Sequence, residues 1–365
     1  MIENNAEFAL FPATNRYEDA TMTSLRSGVS RAVRPLRRAL LGAATALTML
    51  AGGSASALAA TKLNLGIVPW IGYGPIYVAA AKGFFAAHGV DVNLVNFDDP
   101  SAIPGAIYSG QVGAGTLTYD QVIGTNAKGW HLKVVMPIDY SAGADAMLST
   151  DDITSVSQLK GMKVAYAPLT PSDFLLGYAL KQVGLSKADI TSVNVPAEGV
   201  PGVMVGGSTK AGVTYEPSVT GIVQADGGKK FHVLFSSKQA PGLITDVIVV
   251  TPKTIKADPA MITGFIQAFI EGEDYMKSSP DDAAAIIGKA LGEDGATAKA
   301  QLSGVQNPDL AAMPTVLAKS DKLPSFWVSG PVIGDLLKSE GQISAVPPIE
   351  DTYDASFVNA LAGVK

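Results

Sequence analysis

The stretch LNLGIVPWIGYGPIYVAAAKGFF, Leu63–Phe85, changes its periodicity midway. Leu63, Leu65, Ile67 and Val68 alternate and then run apolar, the pattern of a buried strand. Pro69, Gly72, Gly74 and Pro75 break that pattern. Pro75 suits the first turn of a helix, where a missing N–H costs nothing. Ile76, Tyr77, Ala80 and Phe84 then follow at helical spacing. The stretch predicts strand, turn, helix, with Trp70 and Tyr73 in the turn. In open α/β sheets such turns lie outside the carboxyl ends of the strands, where ligands bind.

Downstream the alternation continues. Val90–Phe97 and Gln111–Thr116 read as strands, with a short helix over Ala102–Ser109 between them. A helix follows over Gln121–Lys128, with Asp120 in its first turn, where the helix dipole favours a carboxylate. His131–Ile138 is a fourth strand, and Ala146–Ser149 is extended. From Thr150 a second unit begins. It has a strand at Lys163–Ala167, a helix at Asp173–Val183 with Ser172 as its N-cap, and strands at Thr191–Val195, Ala211–Thr214 and Lys230–Phe235. Alternating strands and helices predict an α/β fold with largely parallel, doubly wound sheets. A faint echo links the halves: Thr118-Tyr119-Asp120 resembles Thr214-Tyr215-Glu216, each after a glycine-bearing strand. Strand Ile244–Thr251 carries a single acid, Asp246, and helices start at Asp258-Pro259 and Ser279-Pro280. Residues 296–365 read as helical, loop-rich packing.

The 365 residues are 47% hydrophobic and 16% charged, enough for two domains and a large core. The first 59 stand apart. Arg31, Arg34, Arg37 and Arg38 form a basic cluster, and Ala39–Leu50 is an apolar run too short to span a bilayer. Ala57-Leu58-Ala59 is a small-residue cleavage site. Together these predict a secretory signal peptide over 1–59, with Met1 or Met22 as the start. Six Arg and four acids leave with it, out of 27 basic and 33 acidic residues, so the remainder carries a formal charge of −8. That excludes a nucleic-acid partner, which needs a basic face. No second long apolar run occurs, which predicts a soluble mature protein. The chain has no Cys, so thiol catalysis is excluded and no lipid anchor on an N-terminal Cys is available. A free periplasmic protein is expected.

No P-loop, HExxH, GxSxG or EF-hand pattern occurs. His88, His131 and His232 have no neighbouring ligand at metal spacing, so neither a metal nor a cofactor is expected. Nothing in the residues points to a Ser-His-Asp site. What remains is a set of strand ends rich in aromatics and acids: Trp70 and Tyr73, Thr118 and Tyr119, Asp139 with Tyr140 and Asp145, Ser172, Tyr215 and Glu216, and Asp246. Taken singly, each reads as a core rim or a helix cap. Taken together, they fall on the side of the sheets where ligands bind. The chemistry they offer is binding. Trp and Tyr faces attract a cation by roughly 0.5–2 kcal/mol per contact, and buried carboxylates need a charged or multi-donor partner. No Arg lies in these turns for bidentate capture of an anion, which leaves only helix N-termini for that task.

Five segments in succession carry a resemblance: GYGPIYVAAAKGFFAAHGVDVNLV (Gly72–Val95), SGQVGAG (Ser109–Gly115), DYSAGADA (Asp139–Ala146), LKGMKVAY (Leu159–Tyr166) and TYEPSV (Thr214–Val219). They resemble the nitrate/sulfonate/taurine/thiamine-pyrimidine (NitT/TauT-type) branch of ABC-transporter substrate-binding proteins, over nearly the whole chain after residue 60. The resemblance implies a type II periplasmic binding fold. Two α/β lobes, each a mostly parallel sheet flanked by helices, would be joined by two hinge crossings near Ser149 and Leu243 and would close on the ligand. Lobe one would be 61–148 plus 244–365, and lobe two 149–243. The resemblance also implies a monomeric receptor that hands a small molecule to an inner-membrane permease and ATPase complex. It places Trp70, Tyr73, Tyr119, Asp139, Ser172, Tyr215, Glu216 and Asp246 at the cleft. DYSAGAD is similar to receptors linked to urea-carboxylase-type nitrogen metabolism, which suit amine, amidine or guanidine-like solutes. Two alternatives stand beside this reading. One is the same receptor role for a sulfonate, taurine or nitrate. The other is a pyrimidine-synthesising enzyme on the same scaffold, against which the absence of Cys argues.

Overall fold

The computed structural model describes residues 60–364, and the expected leader over 1–59 lies outside them. Among the described residues eleven strands form: β1 (Thr61–Ile67), β2 (Val90–Asn96), β3 (Ala114–Thr118), β4 (Lys133–Ser141), β5 (Asp145–Thr150), β6 (Lys163–Tyr166), β7 (Thr191–Asn194), β8 (Ala211–Tyr215), β9 (Phe231–Ser236), β10 (Thr245–Val250) and β11 (Val305–Gln306). They build two sheets, in the order β11-β4-β10-β3-β1-β2 and β7-β6-β8-β5-β9. Helices flank both, giving a two-lobed α/β fold.

The sheets are mixed, which corrects the expectation of mostly parallel ones. β1 pairs in parallel with β2 and β3, and β6 with β7 and β8. β10 runs antiparallel between β3 and β4, and β5 runs antiparallel between β8 and β9. The cause is the chain path. β5 and β10 are the strands that enter each sheet from the other lobe, so no crossover helix sets their direction.

β5 belongs whole to the second sheet, so the first crossing lies between Ser141 and Asp145, not near Ser149. The return crossing runs from Ser236 to Thr245. The two crossings are tied together. Ser141 and Ser237 share a hydroxyl hydrogen bond of 2.7 Å, and the Ser141 N–H donates to the Ile244 carbonyl at 3.0 Å. Gly143 carries φ +132°, and a Cβ there would sit 2.8 Å from Lys238 Cε. The positive φ strains any side chain at that bend, and Lys238 would have to shift to admit one.

The opening stretch folds as strand, 3-10 turn (Ile71–Tyr73) and helix (Gly74–Lys82). Leu65, Ile67, Ile71 and Ile76 are fully buried and anchor the turn to the first core. The long helix Pro259–Ser278 packs through Ile262, Phe265, Ile266 and Phe269, and the Asp258 carboxylate caps it by accepting from the Met261 N–H at 2.9 Å. The helix expected at Asp173–Val183 runs Pro171–Gln182 instead, with Thr170 at its N-cap position. Ser172 therefore lies inside the first turn, displaced by Pro171, whose fixed φ favours the first helical position.

Candidate functional site

Strand register brings the acids together. Asp246 on β10 faces Thr118 on one side and Asp139 on the other. Asp145, first in β5, pairs with Tyr215, last in β8. Carboxyl ends of the parallel strands thus meet the starting ends of the two antiparallel ones.

The turn after β1 lays its aromatics over these acids. The Trp70 Nε1–H donates to Asp139 Oδ2 at 3.1 Å, and the Tyr73 hydroxyl donates to Asp246 Oδ1 at 2.6 Å. Trp70 meets Tyr215 of the other lobe edge-on, with ring centroids 5.7 Å apart. Tyr77 holds the turn from below: its hydroxyl donates to the Val68 carbonyl and accepts from the Trp70 N–H, both at 3.3 Å. Asn307 ties it from the side, donating to the carbonyls of Gly72 and Ile138 at 2.9 and 3.0 Å. Gly72 leaves room for the Trp70–Asp139 bond, since a Cβ there would lie 2.3 Å from both bonded atoms. Gly72→Ala is therefore expected to displace the Trp70 indole and weaken ligand binding by roughly tenfold or more. Titration calorimetry on the variant checks this, with wild-type affinity the result that refutes it.

Between the lobes these groups line a narrow cavity of about 20 Å³. Trp70, Tyr73, Thr116, Thr118, Gln121, Asp145, Tyr215 and Asp246 line it, with Val68, Pro100 and Pro171. The wall holds two carboxylates and no Lys, and residues 60–365 contain no Arg. Burial pushes the Asp145 carboxyl up to about 7. Burial, and then the neighbouring Asp139, push Asp246 well above the usual carboxylate range, and burial likewise raises Asp139. Oδ1 of Asp139 has no hydrogen-bond partner. The cavity is electronegative and short of donors.

Of the eight residues expected at the cleft, Trp70, Tyr73, Tyr215 and Asp246 line the cavity, and Asp139 backs it through Trp70. Three lie elsewhere. Tyr119 is fully buried, stacked on Phe326 with centroids 3.6 Å apart, and shares a 2.8 Å hydroxyl bond with Thr352. The echo with Tyr215 misleads because β8 ends at Tyr215 while β3 ends one residue before Tyr119. Ser172 is buried inside its helix with an unpartnered Oγ, behind the wall residue Pro171. Glu216 turns back to cap the helix Ser218–Gln224, accepting from the Thr220 N–H at 2.9 Å and the Thr220 hydroxyl at 2.8 Å. Thr116, Gln121 and Asn307 carried no sequence signal beyond their polarity.

Two further clusters bear on function. Ser149 lies 3.5 Å from His232 Nε2, and Asp151 lies 3.4 Å from His232 Nδ1. The Ser149 hydroxyl is buried and donates to the Ile153 carbonyl at 2.9 Å, so it is not presented as a nucleophile. The second cluster bridges the lobes. Lys187 contacts Asp173 and reaches Glu340 Oε2 at 2.8 Å, and Gln342 Nε2 donates to Asp173 at 3.0 Å and Glu340 at 2.8 Å. Beside it Gln121 Nε2 donates to the Leu169 carbonyl at 3.3 Å, and the Leu169 N–H donates to Asp173 at 3.0 Å. These bonds hold Leu169 at φ +61°, a left-handed backbone costing on the order of 1–3 kcal/mol for such a residue.

A family model described as NMT1/THI5-like matches residues 70–283, from Trp70 of the aromatic turn into the C-terminal helices. The chain belongs to the NMT1/THI5-like family. As such it is similar to a protein of Brucella abortus (strain 2308) named as a binding protein, with 23% identity over 335 residues, 89% of this chain and 99% of that one. It is similar over a shorter span to the 4-amino-5-hydroxymethyl-2-methylpyrimidine phosphate synthase of Uromyces fabae, with 28% identity over 144 residues, 39% and 42% of the two chains. Its fold matches the crystal structure of the periplasmic aliphatic sulphonate binding protein SsuA from Escherichia coli, with TM-score 0.63, 19% identity, and coverage of 80% and 95%. This NMT1/THI5-like chain thus has the two-lobed periplasmic binding protein fold.

Proposed function

We propose that this NMT1/THI5-like protein is the solute-binding component of an ABC importer. It binds a small nitrogen-bearing cation, an amine, amidine or guanidine-like compound, between its two lobes and releases it unchanged to an inner-membrane permease. One observation carries the ligand class: the cavity between the lobes presents Asp145 and Asp246 with the rings of Trp70, Tyr73 and Tyr215, and no basic side chain. A cation supplies what these carboxylates lack, and the aromatic faces add to the attraction. An oxoanion would face two acids without an Arg or Lys to offset them. The likeness over nearly the whole chain to a protein named as a binding protein supports binding over turnover.

Closure about the crossings at Ser141–Asp145 and Ser236–Thr245 would carry the solute from open to enclosed. The expected export to the periplasm is part of the same proposal. Among the described residues no helix is long and apolar enough to cross a membrane. A thermal-shift screen tests the reading with guanidine, urea, alkylamines, aminopyrimidines, taurine, alkanesulfonates and nitrate. The cationic nitrogen compounds are expected to raise the melting temperature at excess ligand. A response to sulfonates or nitrate alone refutes the ligand class and leaves the receptor role. Chemical conversion of a bound compound refutes the receptor role.

A further inference from the structure

A second, larger space adjoins the cavity. It measures about 120 Å³, against about 20 Å³, and the two share Gln121 as a common wall. Both lobes line it. Its apolar sides include Pro104, Phe174 and Leu337, and its charged liners are Asp120, Asp173 and Lys128. Asp173 is committed to Lys187, Gln342 and the Leu169 N–H. Lys128 is solvent-exposed and makes no ion pair with Asp120 among the described residues.

Asp120 is different. It is 4% exposed, belongs to no ion pair among the described residues, and its Oδ1 has no hydrogen-bond partner. A buried carboxylate oxygen left this way is costly, and a ligand donor would satisfy it. Its position is close to the first cavity. Thr118 faces Asp246 directly across the β3–β10 pair, and Asp120 follows two residues later, so its Cα lies within about 7.6 Å of that of Thr118.

We propose that the solute is two-headed: one cationic or donor group sits against Asp145 and Asp246, and a second, on a short apolar linker, passes Gln121 to reach Asp120. The apolar sides of the larger space suit a chain of methylenes, and Asp120 receives the far head. This rests on the cation reading above and narrows it from a single-headed amine to an α,ω-diamine or an amine-tailed amidine.

Isothermal titration of the full protein separates the two ideas. The probes are α,ω-diaminoalkanes of three to six carbons and the monoamines of matching length. In the wild type the best diamine is expected to bind at least about tenfold tighter than its monoamine. In Asp120→Asn that advantage falls to about threefold or less. Gly124→Leu, one turn along the same helix, fills the space and leaves the Asp120 carboxylate in place, and is expected to remove the advantage as well, so the test survives if one variant fails to fold. Equal binding of diamines and monoamines by the wild type, or an advantage retained in both variants, overturns the two-headed solute and leaves the cation reading intact. If no amine of either kind binds the wild type, the two-headed solute falls, and the guanidine and aminopyrimidine arms of the thermal-shift screen decide the cation reading.

Discussion

Asp246→Asn is expected to weaken a cationic ligand by roughly 100-fold while leaving the ligand-free protein as stable as the wild type, or more so, at pH 8. Two features set these signs. Asp246 is buried and accepts from Tyr73, and no cation of the protein stands near it, so its charge is uncompensated until a ligand arrives. Removing the charge of one partner in a buried, hydrogen-bonded charge pair costs about 2–5 kcal/mol of binding. In the ligand-free protein the same charge is repelled by Asp139, its neighbour across the β10–β4 pair, and by Asp145. Asn keeps an acceptor for the Tyr73 hydroxyl and removes the repulsion. Titration calorimetry and thermal melts measure both effects. Undiminished affinity would take Asp246 out of the site, and a large loss of stability would show that the carboxylate serves the fold.

The second large effect is a dependence on pH with opposite signs for the free and the loaded protein. Burial raises Asp145 to about 7 and Asp120 to about 6, both from an ordinary value of 3.8, and raises Asp139 and Asp246 in the same direction. Folded protein therefore holds these protons where the unfolded chain has released them. The contribution of Asp120 and Asp145 to stability is complete below about pH 4 and is lost as pH rises through 6 and 7, while that of Asp139 and Asp246 persists to higher pH. Exposed acids with lowered values, such as Asp152 and Asp282, act oppositely but finish titrating at lower pH and are screened by solvent. The ligand-free melting temperature is expected to fall by about 5 °C or more between pH 5 and pH 8. A bound cation favours the ionised carboxylates, so the ligand-induced rise in melting temperature grows over the same interval. Calorimetry in buffers of different protonation enthalpy should register protons released on binding near pH 7. Proton uptake, or a ligand effect that shrinks with pH, contradicts a cationic solute.

The sequence revealed the parts of this site that depend on strand ends. Leu63–Phe85 specified its strand, turn and helix through two local signals, alternation and Pro/Gly punctuation, and those signals also placed Trp70 and Tyr73. Asp139 and Tyr215 followed from the rule that ligands gather at the carboxyl ends of strands, whereas Asp246, at the start of antiparallel β10, stood out as the single acid of its strand. Where the reading failed, the deciding quantity was not local. One residue of strand length separates Tyr215, which faces the cavity, from Tyr119, which enters the core against Phe326 from more than two hundred positions away. Glu216 and Ser172 were competed for by nearer partners, a helix end and a proline. The C-terminal segment, read as packing alone, also supplies Asn307 beneath the aromatic turn and Glu340 across the lobes. The antiparallel insertions of β5 and β10 depend on the chain changing lobes, which no periodicity reports.

The bridge of Lys187, Asp173, Glu340 and Gln342 has a consequence for evolution and for engineering. Lys187 and Glu340 line neither the aromatic cavity nor the space beside it. Under the proposed closure, whatever they contribute to the shut form is granted to every solute alike, because a shift in the open–shut balance multiplies all affinities by one common factor. On the proposed receptor reading, changes at Glu340 should therefore act as a volume control, and changes around Trp70 and Asp246 as a tuning dial, so that how tightly a solute is held and which solute is held can drift independently.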